Sequence, residues 1–167
     1  MRLSQGVEWA AHACTMLAVL PPGRALSLAA LAEYHGVPAP YMAKQMQALS
    51  KAGIVRTSRG KTGGYALARP ASEISLWDVA RAIDGGEPLF RCSEIRQRGP
   101  CATPRKDCLR PCHIAAAFAR AEQAWRESLG AVTIADIAGE VGRDSSPAHI
   151  SEALAWIGPR LTELPPA

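Results

Sequence analysis

The feature that most constrains the fold is a pair of short helical patterns separated by a tight turn. Ser27 precedes an apolar run that stops near Gly36, and a second helical pattern occupies residues 41–52. Pro38 and Pro40 open this second pattern. Two short helices joined by so few residues are typical of a helix-turn-helix, so the pattern predicts that motif.

After Gly53 the spacing of the apolar residues changes from one typical of a helix to one typical of a strand. Residues 54–58 and 65–68 predict two strands on either side of a glycine-rich turn over residues 59–64. Two strands and a turn that directly follow a helix-turn-helix have the layout of a wing. We therefore predict a fold that is mainly α with a small β-wing.

Two further helices are predicted to complete this unit. Apolar residues recur at helical spacing over residues 4–20, and Ser75 is placed to cap a helix over residues 76–83. We accordingly assign residues 1–86 to a winged helix-turn-helix DNA-binding domain.

A long amphipathic pattern follows in the second half of the chain. It carries a single apolar stripe at 4-3-4-4 spacing, made of Ile114, Phe118, Ala121, Trp125 and Leu129. Because so small a module cannot bury the whole stripe, we predict a long dimerisation helix and a homodimer. Residues 112–141 are assigned to this helix and to the short helix after it, which is predicted to start at Thr133. Residues 142–167 form a C-terminal extension that is predicted to begin with a linker over residues 142–147.

The charge pattern of the first domain favours a nucleic-acid partner. The chain has a formal net charge of +4, and no acidic residue lies between Glu33 and Glu73. The same interval contains the basic residues Lys44, Lys51, Arg56, Arg59, Lys61 and Arg69. Because basic side chains that neutralise phosphates release counterions, this surface is predicted to bind a double-stranded DNA operator.

Particular residues of the second helix and the wing are candidates for DNA contacts. We predict that Tyr41, Lys44 and Gln45 lie on the outward side of that helix, where Gln can read adenine and Lys can reach guanine or phosphate. Arg59 and Lys61 project from the wing turn and are candidates for minor-groove or phosphate contacts.

Four of the five cysteines lie close together between the two halves of the chain. They are Cys92, Cys101, Cys108 and Cys112, in or beside a loop over residues 87–111 that is rich in Pro and Gly. Thiols at this density are typical of a soft-metal or iron–sulfur site. The odd cysteine count and the chain length argue against a secreted disulfide scaffold, which favours a reducing cytoplasmic location. The apolar run over residues 10–20 is too short to span a bilayer, so no membrane partner is expected.

The chain resembles a known family in three segments. Residues 28–32, residues 41–49 and the wing sequence over residues 59–65, with its Gly-Gly-Tyr, are similar to winged-helix regulators of the Rrf2 type, the family of IscR, NsrR and RsrR. This resemblance implies a homodimeric transcription factor rather than an enzyme. Several members carry an iron–sulfur cluster that changes their affinity for DNA.

The cysteine spacing is closest to the redox-sensing RsrR branch of that family. This resemblance implies a [2Fe–2S] cluster held by two loop cysteines of one subunit and by Glu8 and His12 of the other. Among the thiols we favour Cys92 and Cys112, which bracket the loop, and Cys108 is the strongest substitute. Cys101 is predicted to be free. Cys14 is predicted to be a core residue.

Other interpretations of the cysteines stay open at this stage. Four thiols could bind a structural zinc ion, although the sequence has no C-x2-C pair. A cluster-free regulator could instead sense oxidation directly through its cysteines. Trp9, between Glu8 and His12, is expected either to pack against the dimer partner or to respond to the charge of a cluster.

Overall fold

The computed structural model describes residues 3–58 and 63–164. Within these residues the helices are α1 (Gln5–Ala18), α2 (Leu28–Tyr34), α3 (Ala39–Lys51), α4 (Leu76–Asp84), α5 (His113–Gly130), α6 (Ile134–Asp144) and α7 (Pro147–Ile157). The strands are β1 (Arg24–Leu26), β2 (Val55–Thr57), β3 (Tyr65–Leu67) and β4 (Leu161–Glu163). No helix of the described residues is long and apolar enough to cross a membrane.

The four strands form one small antiparallel sheet beside the helices. The strand order is β2-β3-β1-β4, with Val55 opposite Leu67 in the wing and Leu26 opposite Tyr65 next to it. The predicted wing strands and the mainly α composition are therefore confirmed. Strand β1 lies between α1 and α2 and was not predicted.

The larger of two cores in the described residues joins α1, α2, α3 and α4 to the sheet. Its largest fully buried side chains include Leu26, Leu31, Met42, Met46, Leu49 and Ile54. Side chains of this kind stabilise the fold by leaving water, at roughly 1.5–3 kcal/mol for each large apolar residue. Helix α2 follows Ser27, whose hydroxyl accepts a hydrogen bond from the backbone N–H of Ala30. The predicted helix-turn-helix is thus capped and packed as one unit.

The long helix α5 is followed by a helix that is anchored to the first domain. Ser75 caps α4 and Thr133 caps α6, each with a reciprocal capping box, and these two residues form an isolated β-bridge. Ile134, the first residue of α6, is fully buried and its N–H donates to the carbonyl oxygen of Ile74. The chain therefore returns from α5 to the core of the winged-helix domain.

The C-terminal extension is more ordered than the sequence suggested. Helix α6 continues to Asp144, so the predicted linker over residues 142–147 is wrong for most of its length. Helix α7 then leads to β4, which pairs with β1 in a register that places Thr162 opposite Ala25. The ring of Trp156 packs edge-on against Tyr34 at 5.2 Å between centroids, so the extension covers part of α2.

Candidate cluster loop and nucleic-acid interface

Two of the loop cysteines meet at the beginning of α5. Cys112 is the residue before the first turn of that helix, and its side chain makes no capping hydrogen bond to the helix. The backbone N–H groups of Ile114 and Ala115 are near enough to its sulfur to lower the pKa of the thiol. The Cys92 side chain also contributes to this lowering, although the two residues are twenty positions apart, and the Cys92 thiol itself donates to a Glu94 carboxylate oxygen at 3.6 Å. The two backbone groups are the main cause of the lowered pKa of the Cys112 thiol. They therefore favour the thiolate, which is the form that binds metals.

Glu94 and Arg96 fix the shape of the loop around these thiols. Glu94 has a left-handed backbone conformation with φ of 51°, and its N–H donates to the sulfur of Cys92 at 3.4 Å. The Nε of Arg96 lies 2.7 Å from the Glu94 carboxylate, and its Nη2 donates to the carbonyl oxygen of Arg110 at 2.7 Å. Arg96 therefore connects the first part of the loop to its last part.

The positive charge of Arg96 faces the cysteine side of the loop. The hydrogen bond from Arg96 is the main reason that the pKa of Glu94 is lowered. Arg96 also interacts with Cys108 and Cys112, and its charge contributes to the lowered pKa of the Cys112 thiol. Glu94 and Arg96 were not singled out from the sequence. They are two positions apart, and this spacing does not distinguish them from the other charged residues of the loop.

The remaining cysteines have different surroundings. Cys108 is half-buried and lies within the electrostatic reach of Arg96, whereas Cys101 is exposed. Cys14 is fully buried, and burial raises the pKa of its thiol to about 12. The prediction that Cys14 is a core residue is confirmed.

Glu8 and His12 lie on α1, and both are exposed. Glu8 lines a cleft between α1, α4 and α5 together with Asp84 and Glu122. His12 faces a second cleft, where its ring lies 5.9 Å from that of His35 between centroids. In residues 3–58 and 63–164, no group of three or more His, Cys, Asp or Glu side chains is placed to hold a metal ion. One protomer therefore does not bring the four candidate ligands together.

Trp9 links α1 to the second helix of the helix-turn-helix. Its half-buried ring packs edge-on against Tyr41 of α3, with 5.9 Å between the ring centroids. Trp9, which lies between Glu8 and His12 in sequence, therefore connects this part of α1 to the exposed face of α3.

The outward face of α3 includes two of its three predicted DNA contacts. Tyr41 is 57% exposed and Lys44 is also exposed, so both side chains are accessible to a duplex. The prediction for Gln45 is wrong in its placement, because this side chain is only 5% exposed and packs against Gly6 of α1. The sequence contained evidence for this burial. Gln45 lies three residues after Met42 and four before Leu49, so it shares a helix face with these two core residues. Arg59 and Lys61 lie outside the described residues.

The burial of Gln45 changes what a substitution there should do. A Cβ on Gly6 would lie 2.8 Å from the Gln45 amide oxygen, so the two helices meet closely at this point. We expect Gln45→Ala to lower the free energy of unfolding by about 1–3 kcal/mol and to leave the preferred DNA sequence unchanged. Denaturant unfolding and a binding-site selection experiment would measure the two effects. The exposed Gln47, replaced by Ala, is the matched control for stability. A changed sequence preference in Gln45→Ala would contradict the revised assignment.

The apolar stripe of α5 is divided between two environments. Ile114 and Phe118 are 61% and 51% exposed, and no residue of α5 is buried within the described protomer. Phe118 stacks on Phe90 of the loop at 4.5 Å between ring centroids. Trp125 instead packs against Trp77 of α4 at 5.5 Å, so it serves the protomer's own packing as well as any interface.

Comparison with known proteins agrees with this architecture. A family model described as "Rrf2: Iron-dependent Transcriptional regulator" matches residues 3–140. The chain therefore belongs to the Rrf2 family, whose members are transcriptional regulators that bind DNA, not enzymes.

Solved structures extend the comparison. Oxidised CymR of Staphylococcus aureus is 25% identical, with a TM-score of 0.61 over 83% of this chain and 96% of that one. CymR of B. subtilis, the global cysteine regulator of that organism, is 21% identical with a TM-score of 0.65, covering 84% of this chain and 98% of that one. IscR of T. potens is 22% identical with a TM-score of 0.64, covering 90% and 96%. The last two likenesses show the shared fold.

Proposed function

We propose that this chain is an iron–sulfur-dependent, redox-sensing regulator that binds a double-stranded DNA operator as a homodimer. The observation that carries the proposal is the approach of the Cys92 side chain to Cys112 at the N-terminus of α5, where the pKa of the Cys112 thiol is lowered. Two neighbouring cysteines can supply two of the four protein ligands that a [2Fe–2S] cluster needs. The donor chemistry of the loop therefore fits the cofactor.

The second half-set would come from the other subunit. Glu8 and His12 are exposed, one helical turn apart on α1, and are not grouped with the cysteines of their own chain. Their spacing of four places them one helical turn apart, with Glu8 at the cleft beside α4 and α5 and His12 at the start of the second cleft. A cluster held by Cys92 and Cys112 of one subunit and by Glu8 and His12 of the other satisfies both observations.

The chain's own contacts supply a route from this site to DNA. Trp9 lies between the two proposed helix ligands and touches Tyr41 on the exposed face of α3. A cluster bound between subunits supplies reversible one-electron chemistry, with a potential raised by non-thiolate ligands. A shift of α1 that accompanies the change in charge would move Tyr41, so the oxidised, reduced and apo forms should differ in DNA affinity.

Lys44 provides a test of the DNA-binding surface. If its ammonium contacts a phosphate, Lys44→Ala should weaken binding and reduce the slope of log K against log salt by about one unit. Fluorescence anisotropy at several salt concentrations would measure the slope. Lys106→Ala removes the same charge from the exposed cysteine loop and should leave the slope unchanged. Equal slopes in wild type and Lys44→Ala would remove Lys44 from the interface.

A cluster-free thiol sensor is the second candidate function. The Cys92 and Cys112 pair also suits direct oxidation, and one similar structure is of an oxidised form of CymR. Anaerobic purification distinguishes the two candidates, because an iron–sulfur protein absorbs visible light and a thiol or zinc protein does not. We expect visible absorption that changes on reduction by dithionite. Colourless protein with no iron would contradict the proposed function and leave the thiol sensor.

A further inference from the structure

The C-terminal strand β4 is connected to the wing through β1. It pairs with β1 over its whole length, in a register that places Leu161 opposite Leu26. Strand β1 pairs in turn with the wing strand β3, where Leu26 lies opposite Tyr65. The family match ends at residue 140, so β4 lies beyond the matched residues. The wing strands therefore belong to a four-stranded sheet whose far edge comes from the C-terminal extension.

Leu164, the residue after β4, packs against the base of the wing. Its side chain is 4% exposed and forms the second, smaller core with Ala25 of β1 and Ala66 of β3. Its N–H donates to the carbonyl oxygen of Gly23 at 2.9 Å. The end of the extension is therefore held in place by the backbone and buried against a strand of the wing.

Thr162 of β4 contacts the wing at Gly64, the residue before β3. A Cβ on Gly64 would lie 2.7 Å from the Oγ1 of Thr162 and 3.0 Å from the Cβ of Ala25, so the two segments approach closely. The Thr162 hydroxyl donates to the carbonyl oxygen of Ala25 at 3.3 Å. The carbonyl oxygen of Gly64 accepts a hydrogen bond from the N–H of Ser58 at 3.2 Å, which joins the two arms of the wing. Thr162 therefore lies beside the bond that joins these two arms.

The extension is also fixed to the helix-turn-helix. Arg160, the residue before β4, lies 3.7 Å from the carboxylate of Glu33 in α2, and its guanidinium stacks on the ring of Trp156 at 3.9 Å. Ile157, at the end of α7, is buried in the larger core. Strand β4 is therefore anchored to the helix-turn-helix at its beginning and to the wing along its length.

We propose that the C-terminal segment holds the wing in position, and that Thr162 and Leu164 are positioning residues for the contacts of the wing with DNA. A two-stranded hairpin alone is only marginally stable in water, and added strands and apolar contacts restrict it. Because this segment is anchored to α2 at Arg160, it fixes the wing relative to the helix-turn-helix. The proposal rests on the proposed binding of a DNA duplex but not on the presence of a cluster.

Hydrogen exchange of the free protein tests the contact with the wing in the absence of DNA. A protein that ends at Arg160 lacks β4 and Leu164, and a protein that ends at Leu164 is its matched control. We expect the Ser58 amide to exchange at least about tenfold faster in the shorter protein, whereas the Met46 amide of α3 keeps its protection. Unchanged exchange at Ser58, or an equal increase at Ser58 and Met46, would overturn the proposal.

A substitution in the full chain covers the case in which the shorter protein does not fold. Leu164→Ala removes the apolar contact with Ala25 and Ala66 and keeps the whole of β4. We expect faster exchange at Ser58 in this variant too, by a smaller factor, with Met46 unchanged. Glu163→Gln is the matched control, because this side chain is exposed and its only printed partner is Arg24 at 3.9 Å. Exchange at Ser58 that is the same in Leu164→Ala and Glu163→Gln would overturn the proposal.

DNA binding is tested by combining this change with the loss of the wing charges. The probe is a duplex that the wild-type protein selects from a random-sequence library, and binding is followed by fluorescence anisotropy. We expect Leu164→Ala to weaken binding severalfold in the wild-type chain and to have little further effect when Arg59 and Lys61 are both replaced by Ala. Equal losses in the two backgrounds would place the effect outside the wing and overturn the proposal. Selection of no duplex by the wild type would contradict the proposed function instead, because exchange at Ser58 is measured without DNA.

Discussion

Anaerobically purified Cys112→Ala protein is expected to be colourless and free of iron. The backbone at the N-terminus of α5 and, less strongly, the Cys92 side chain lower the pKa of the Cys112 thiol, so we expect its loss to remove a ligand beside Cys92. A [2Fe–2S] cluster with only three protein ligands is expected to be lost during isolation. Visible absorption and iron content per subunit would measure the effect.

Cys101→Ala is the matched control for this variant. Cys101 lies in the same loop but is exposed, so its removal should leave the spectrum and the iron content unchanged. Cys108→Ala tests whether Cys108 or Cys112 is the ligand. Both thiols interact with Arg96, and Cys108 is the strongest substitute for Cys112. A coloured Cys112→Ala protein together with a colourless Cys108→Ala protein would contradict the assignment of Cys112.

Phe118→Glu is expected to dissociate the homodimer. Phe118 is 51% exposed in the protomer and lies on the stripe of α5 that we assign to the subunit interface. An unpaired carboxylate buried in that interface would cost several kcal/mol, which is enough to raise the dissociation constant by about a hundredfold or more. Sedimentation velocity at micromolar concentration would show the monomer. The cluster should be lost with the dimer, because its ligands come from both subunits.

Two further variants control this experiment. Gln123→Glu adds the same charge on the polar side of α5 and should leave the dimer intact. Ala121→Glu places a charge on the stripe without removing the stack of Phe118 on Phe90, so it separates interface effects from loop effects. Intact dimers in both Phe118→Glu and Ala121→Glu would mean that the stripe is not the interface.

The sequence predicted the local features of the fold well. Helix starts at Ser27, Ser75 and Thr133 were readable because a hydroxyl before an apolar run is a local cap signal, and all three side chains accept backbone bonds. The wing strands were readable from their alternation and their glycine-rich turn. These features depend on neighbours in the chain, which a sequence pattern contains.

The features that were missed depend on distant partners. Strand β4 is three residues long and is defined only by its pairing with β1. Its residue Thr162 pairs with Ala25, which lies 137 residues earlier in the chain. The loop geometry set by Glu94 and Arg96 likewise depends on a bond to Arg110. Cys92 and Cys112 were favoured as ligands because they lie at the two ends of the loop. The lowered pKa of the Cys112 thiol could not be predicted in this way, because it depends on the position of the backbone at the start of α5.

The central claim is that the cluster ligands come from two subunits, and a mixed dimer tests it directly. One subunit carries Cys112→Ala and the other carries Glu8→Ala with His12→Ala, each with its own affinity tag. If the ligands come from both subunits, one site of the mixed dimer has both defects and the other is intact. We predict about half the iron of wild type in the mixed dimer and none in either homodimer of the variants. A mixed dimer without a cluster, beside a wild-type dimer that has one, would contradict the account.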